Sequence, residues 1–237
     1  MKTGDKFNLG TKELTFIEMP MLHWPDSKLS YLAGDNIVFS NDAFGQHYAS
    51  EQMYNDLVDP HELYAECIKY YANILNPFSP LVAKKINDIV ALHLPIDMIC
   101  PSHGVFWRNN PLQIVENYAK WAAAYKENQI TIIYDTMWDG TRRMAEGIAT
   151  GIRTADTDVI VKLYNSSRMD KNDIITEVFK SKAILAGCPT VNKGILSSLA
   201  GLMEEIKGLA FKEKKQQRLA QHMAGVAKDP RSWRACS

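Results

Sequence analysis

"TIIYDTMWDGTRRMAEGI", residues 131–148, decides the fold. A near-continuous apolar strand, "ITIIYD", empties through a short polar loop into the helix "GTRRMAEGIATGI". The unit then recurs: strand "DVIVKLY", a helix near 171–180, strand "KAILAG", helix "GILSSLAGLMEEI", and finally "GLAF", read as a strand ending near Phe211. Strict alternation with strands that are apolar throughout predicts a parallel, doubly wound sheet with helices on both faces.

The loop of the first unit offers the hydroxyls of Thr136 and Thr141 and the flexible backbone of Gly140, at a point where helix N–H groups face outward. That chemistry suits a phosphate. An ordinary turn capped by threonines is the plainer alternative. The loop is neither a Walker loop, lacking Gly-Lys-Ser/Thr, nor a GxGxxG turn. Its place after the first strand of an alternating unit is where a mononucleotide phosphate sits in doubly wound folds. A second loop, "GCPTVNKG" at 187–194, brings Thr190 and Asn192 to the same carboxyl edge, which favours a flavin.

The first half reads differently. Between 7 and 40, "LTFIEMPML", "LSYLAG" and "NIVFS" are short apolar runs broken by Gly, Pro, Asp and Asn, and they predict strands. Helices are predicted over 60–75, opening with Pro and an early Glu, over 79–94, with Ser79 as N-cap and Pro80 at its first position, and over 111–125. "IDMICPSHG" is another strand emptying into a polar turn. "KEN" at 126–128 is the linker candidate between the halves.

Apolar residues make up 46% of the 237 residues and formal charges balance, so a globular chain with a sizeable core is expected. The last 24 residues hold six Lys/Arg and one Asp, without the interleaved aromatics of a nucleic-acid arm. Cys67, Cys100, Cys188 and Cys236 form no CxxC pair and read as reduced, mostly buried thiols. "MKTGDKFNLG" is polar where a signal peptide would be apolar, and no run of 18 apolar residues occurs. The expectation is a soluble cytoplasmic protein with no nucleic-acid or membrane partner.

"TIIYDTMWDGTRRMAEGI" followed by "AGCPTVNKGIL" resembles the flavodoxin domain of the flavodiiron protein family, nearest its anaerobic nitric oxide reductases. The resemblance implies FMN. By matching position, Thr136, Met137, Trp138, Asp139, Gly140 and Thr141 would hold its phosphate, and Pro189, Thr190, Val191, Asn192, Lys193 and Gly194 would border its ring system.

In that family a metallo-β-lactamase-like domain comes first and binds two irons. Its later ligands are a histidine, an aspartate 19 positions on, and a histidine 61 positions further; His23 in "MLHWPDS", Asp42 in "SNDAFG" and His103 in "CPSHG" reproduce both intervals. Taken singly, each is as readily a packing or turn residue. Together they imply that Asp42 bridges two metals, a role for which a carboxylate has two oxygens, with His23 on one and His103 on the other. His47, His61, His93 and His222 read as surface or packing residues.

The family's earlier H-x-E-x-D-H ligand stretch has no counterpart in the sequence. The expected fold is therefore the C-terminal part of a metallo-β-lactamase-like αββα domain, residues 1–127, followed by an incomplete flavodoxin-like doubly wound parallel sheet, residues 128–213. Residues 214–237 are expected to be a divergent, disordered basic tail, with Gly225 and Trp233 outside any strand-to-loop pattern; a shifted reading frame would explain such a tail. The resemblance further implies electrons arriving from an NADH-dependent rubredoxin reductase, NO reduced to N2O, and a dimer or tetramer. A chain with part of each centre would be inactive alone. The competing readings are an FMN-binding electron-transfer module, a non-enzymatic remnant, and a zinc hydrolase of the β-lactamase fold.

Overall fold

The computed structural model describes residues 1–211 and 214–221. The chain divides into a first unit, Met1–Tyr125, and a second from Lys126 onward. The boundary falls immediately before "KEN", and this stretch is no loop: Glu127 already opens a strand.

In the first unit, β1 (Lys6–Asn8), β2 (Glu13–Glu18), β3 (Lys28–Ala33), β4 (Ile37–Asn41) and β5 (Met98–Pro101) form one sheet in sequence order. All pairs are antiparallel except β4 with β5. A parallel pair needs a long crossover. Here it contains α1 (Pro60–Tyr70) and α2 (Ser79–Val90), and α3 (Leu112–Ala122) follows β5. Two antiparallel steps separate β2 from β4, so β2, β4 and β5 run the same way and empty at one edge. That edge receives His23, Asp42 and His103.

Period-2 alternation divides the sheet faces. Ile17, Leu29, Tyr31, Val38 and Ile99 share one face and are buried. The other carries Leu14, Phe16, Leu32, Ile37 and Met98, all partly exposed, and Phe39, which is 44% exposed. Aromatic packing completes the core, with the Tyr118 ring centroid 5.1 Å from that of Tyr71 and 5.5 Å from that of Trp121.

Asp59 caps α1 by accepting from the His61 and Glu62 N–H groups at 2.8 and 3.0 Å. The predicted helix over 60–75 does not run uniformly: α1 widens into a π-helical segment over Tyr71–Leu75 and tightens into a 3₁₀ turn over Asn76–Phe78. Ser79 is the first residue of α2 rather than its cap. Its hydroxyl donates to the Asn76 carbonyl at 2.8 Å and meets Tyr71 Oη at 2.9 Å, because the preceding turn places those partners closer.

The second unit alternates β6 (Glu127–Tyr134), α4 (Gly140–Ala155), β7 (Ile160–Asn165), α5 (Lys171–Lys180), β8 (Ser181–Pro189), α6 (Ser197–Gly208) and β9 (Lys215–Gln221). Its sheet is parallel in the order β7-β6-β8-β9. Both faces are covered. Ile133 packs with α5 and α6 residues such as Ile174, Val178 and Leu202, and Ile132 packs with Ala145 and Ala149 of α4. The direction of winding reverses at β6, so a crevice opens between the carboxyl ends of β6 and β8.

Two expectations are corrected here. "GLAF" is the end of α6 and a turn, not a strand. The fourth strand comes later, as Lys215–Gln221, within the segment expected to be disordered. The free edge of β8 supplies the reason: seven consecutive residues pair with Ala183–Pro189, so the neighbouring strand organises a stretch whose own pattern is polar. Gly225 and Trp233 lie outside the described residues. Cys67, Cys100 and Cys188 are buried free thiols, and burial pushes the pKa of each up. Among the described residues, no helix is long and apolar enough to cross a membrane.

Candidate functional site

Asp42 follows β4 directly and stands between two imidazoles. His23 Nε2 is 3.2 Å from Asp42 Oδ2, and His103 Nε2 is 4.0 Å from Oδ1. Ser102 Oγ donates to Oδ1 at 3.0 Å, which steadies the carboxylate. His103 Nδ1 lies 3.2 Å from the Gln46 carbonyl oxygen. A carbonyl only accepts, so Nδ1 carries a hydrogen and Nε2 is the ring nitrogen turned toward Asp42. Such backing of a ring nitrogen by a carbonyl is the usual outer support of a metal-ligating histidine.

The donor set fits metal ions bridged by the carboxylate. Two ligands about 2.1 Å from one ion and roughly at right angles stand ~3 Å apart, and the His23–Asp42 pair has that separation. Among the described residues, no group of three or more His, Cys, Asp or Glu side chains is disposed to hold a single ion. What the described residues do show is one imidazole beside each oxygen of Asp42.

Close packing holds it. Gln46 is fully buried, its Oε1 accepting from Val105 N at 2.7 Å and its Nε2 donating to Val105 O at 3.3 Å. Gly104, at φ +79°, leaves the space that the Gln46 side chain fills. A Cβ on Gly45 would come within 2.7 Å of His103 Cε1. Tyr118 Oη accepts from Phe44 N at 3.2 Å, while Trp107 Nε1 donates to Phe44 O at 2.9 Å. The Tyr70 ring lies 5.1 Å from that of His103; burial, and then the Asp42 charge, raise the pKa of its phenol. Exposed His47 is a packing residue, its ring 5.3 Å from that of His103 and edge-on to Tyr70. His61 and His93 are exposed, and His222 lies outside the described residues.

The second cluster lies at the crevice between β6 and β8. Tyr134 of β6 is in register with Gly187 of β8, so the loops carrying Thr136–Thr141 and Pro189–Gly194 leave adjacent strands. Thr136 Oγ1 is buried and has no hydrogen-bond partner. Met137 and Trp138 are exposed, Trp138 by 80%, and Thr141 is buried. Asp139 sits at the N-cap of α4 in a left-handed conformation, and its side chain makes no capping bond. Its carboxylate accepts from Arg142 Nε at 2.9 Å instead. That hydrogen bond, helped by the charges of Arg142, Arg143 and Arg168, holds the Asp139 carboxyl below its ordinary range. An orphaned hydroxyl, a helix N-terminus without a side-chain cap and surrounding arginines fit a phosphate.

In the other loop, Val191 and Gly194 exchange N–H···O bonds of 3.1 and 2.8 Å across Asn192 and Lys193, both at positive φ. This is a tight hairpin turn that carries exposed Thr190, Asn192 and Lys193. Asp135, a buried carboxylate directly after β6, is a further polar residue of this edge. A charged residue closing an otherwise apolar run is its signal in the sequence.

A family model described as the ODP family beta lactamase matches residues 1–104. The anaerobic nitric oxide reductase flavorubredoxin of Klebsiella pneumoniae is 54% identical over 223 residues, covering 94% of this chain and 46% of the relative. The chain spans about half the length of the curated relatives it matches. A 223-residue match cannot fit within residues 1–213, so similarity continues into the segment expected to diverge. Among solved structures, rubredoxin oxygen:oxidoreductase from Desulfovibrio gigas superposes with a TM-score of 0.89 at 36% identity, covering 93% of this chain and 55% of its own. The flavodiiron protein of Giardia intestinalis follows at 0.86 and 30%, covering 91% and 53%.

Proposed function

We propose, from its similarity to flavorubredoxin and to flavodiiron proteins, that the chain belongs to the flavodiiron protein family and supplies two parts of a nitric oxide reductase: three iron ligands in the first unit and an FMN crevice in the second. The observation that carries this reading is Asp42 with an imidazole facing each carboxylate oxygen. When bound, iron and FMN supply the redox chemistry for the overall change 2 NO + 2 e⁻ + 2 H⁺ → N2O + H2O.

The chain's own residues bind and orient. His23 with Asp42 Oδ2 would hold one iron, and His103 with Oδ1 the other, Ser102 and Gln46 fixing the directions of both. Thr136, Met137, Trp138, Asp139, Gly140 and Thr141 would enclose the FMN phosphate, and Pro189–Gly194 would border the flavin. Electrons would come from an NADH-dependent rubredoxin reductase, and the working form would be a homo-oligomer.

Three ligands leave most positions of two irons to other donors. The chain by itself is therefore expected not to turn over NO. Anaerobic loading of the purified chain with ferrous iron and FMN, followed by iron and flavin analysis and an N2O assay, tests this. Retention of two irons with N2O formation would show that the donors present suffice; iron lost on desalting, with no N2O, is the expected outcome.

A residual FMN-binding electron-transfer module is the second reading. The orphaned Thr136 hydroxyl beside the α4 N-terminus favours it, since this crevice is built entirely within the second unit. One FMN per chain without retained iron would support it.

A further inference from the structure

We propose that Asp135 is a positioning residue: a single buried carboxylate that ties its own loop to the loop after β7 and to the start of α6, at the carboxyl edge of the second sheet, and so holds the phosphate loop in its binding shape. The inference rests on the reading of that crevice as an FMN site.

Asp135 is 6% exposed. Its Oδ1 accepts from Thr136 N at 2.7 Å and lies 3.1 Å from Ser167 Oγ, whose single hydrogen it shares with the nearer Asn165 Oδ1 at 2.7 Å, and its Oδ2 accepts from Ser198 Oγ. These donors belong to the loop after β6, the loop after β7 and the first turn of α6, which follows β8. Ser167 and Ser198 are 32 and 63 residues away in sequence, so only the sheet order brings them together.

A buried carboxylate is costly unless donors satisfy it, and as an acceptor-only group it can take several at once. All three donors found here are neutral. An asparagine would offer one acceptor oxygen and present donors to the other side. The carboxylate is thus suited to pulling hydroxyls inward from a neighbouring loop and the start of a helix.

The adjacent Thr136 Oγ1 shows what this arrangement leaves free. It is buried, carries the same chemistry as Ser167 and Ser198, and takes no part in the network. With its own N–H bound to Asp135, the Thr136 backbone is fixed while its hydroxyl stays available to a ligand. The tie at Ser167 also anchors Arg168, whose charge bears on Asp139 in the phosphate loop.

The experiment is titration of the full chain, wild type and Asp135→Ala, Asp135→Asn, Ser167→Ala and Ser198→Ala, with FMN and with riboflavin, which lacks the phosphate. Loss of the three bonds should weaken FMN binding roughly 30-fold in Asp135→Ala, and about three- to tenfold in Asp135→Asn, which keeps one acceptor. Riboflavin affinity should change less than about twofold, so that the preference for FMN collapses. Equal losses for both flavins, or an unchanged FMN affinity, would overturn the proposal.

Should Asp135→Ala fail to fold, the two serine variants, each lacking one donor, carry the same comparison. If the wild type binds neither flavin, the FMN reading fails, and hydrogen exchange of the flavin-free protein decides the inference separately. Ser198→Ala should then speed exchange in residues 136–141, on a different loop; unchanged exchange there would refute the tie.

Discussion

His103 and Gln46 hold each other in place across the end of β5. The imidazole Nδ1 lies 3.2 Å from the Gln46 carbonyl oxygen, while Gly104, next to the histidine, leaves the room in which the Gln46 side chain is buried. Ligand direction and core packing are thus one structural feature, which makes a glycine with no side chain consequential.

Gly104→Ala should therefore cost more than strain alone. A Cβ would stand 1.5 Å from Gln46 Oε1, on a backbone at φ +79°. Left-handed strain of about 1–2 kcal/mol adds to the loss of a buried hydrogen bond, about 1–3 kcal/mol. Thermal unfolding should show a destabilisation of several degrees, and a Gly147→Ala control in α4, where the new Cβ meets nothing within 4 Å, should show none.

Asp42→Asn should separate metal binding from folding. The amide keeps the shape and can still accept from Ser102, but it loses the charge and one of the two oxygens facing His23 and His103. Cobalt or ferrous ion titration should show affinity reduced at least 10- to 100-fold, an estimate taken from the weaker effect of outer supporting groups. The midpoint of urea unfolding should stay within the range of a surface substitution. An unchanged metal affinity would remove Asp42 from the ligand set.

Thr136→Val should move two measurements in opposite directions. The threonine hydroxyl is buried without a partner, so its replacement by a methyl group relieves a desolvation cost of about 1 kcal/mol in the flavin-free protein. FMN binding should weaken at the same time. Loss of stability in the flavin-free variant would mean that the hydroxyl has a partner of its own.

Acid should remove the contribution of the α1 cap. Hydrogen bonds from the Glu62 and His61 N–H groups hold the Asp59 carboxyl below its ordinary value. A carboxylate whose folded pKa is depressed stabilises the fold above its unfolded pKa, and the gain disappears as pH falls through the folded value. The stability difference between wild type and Asp59→Asn should be constant from pH 7 down to about 4 and close below that. A difference that grows toward acid would contradict the cap.

Particular residues mark how far the sequence could be read. The recurrence of "ITIIYD", "DVIVKLY" and "KAILAG" with helices between them was sufficient for a parallel sheet, because strands covered on both faces must be apolar throughout. Ser79 was misread because its hydroxyl has two close partners, Asn76 and Tyr71, that exist only once the preceding turn forms. Lys215–Gln221 was missed because its strand character comes from the edge of β8 and not from its own side chains.

By itself the sequence determined the strand-helix alternation and the polar loops that follow strands, and its resemblance to a known family singled out His23, Asp42 and His103 by their two intervals. The tertiary structure alone decided that those three side chains meet. They do so because β2, β4 and β5 run in one direction and end at a common edge. It likewise decided that Asp135 collects donors from two loops and the start of α6. Spacing along a chain constrains which residues can be neighbours, but direction and order within a sheet are cooperative properties of all its strands, and they settle which residues are.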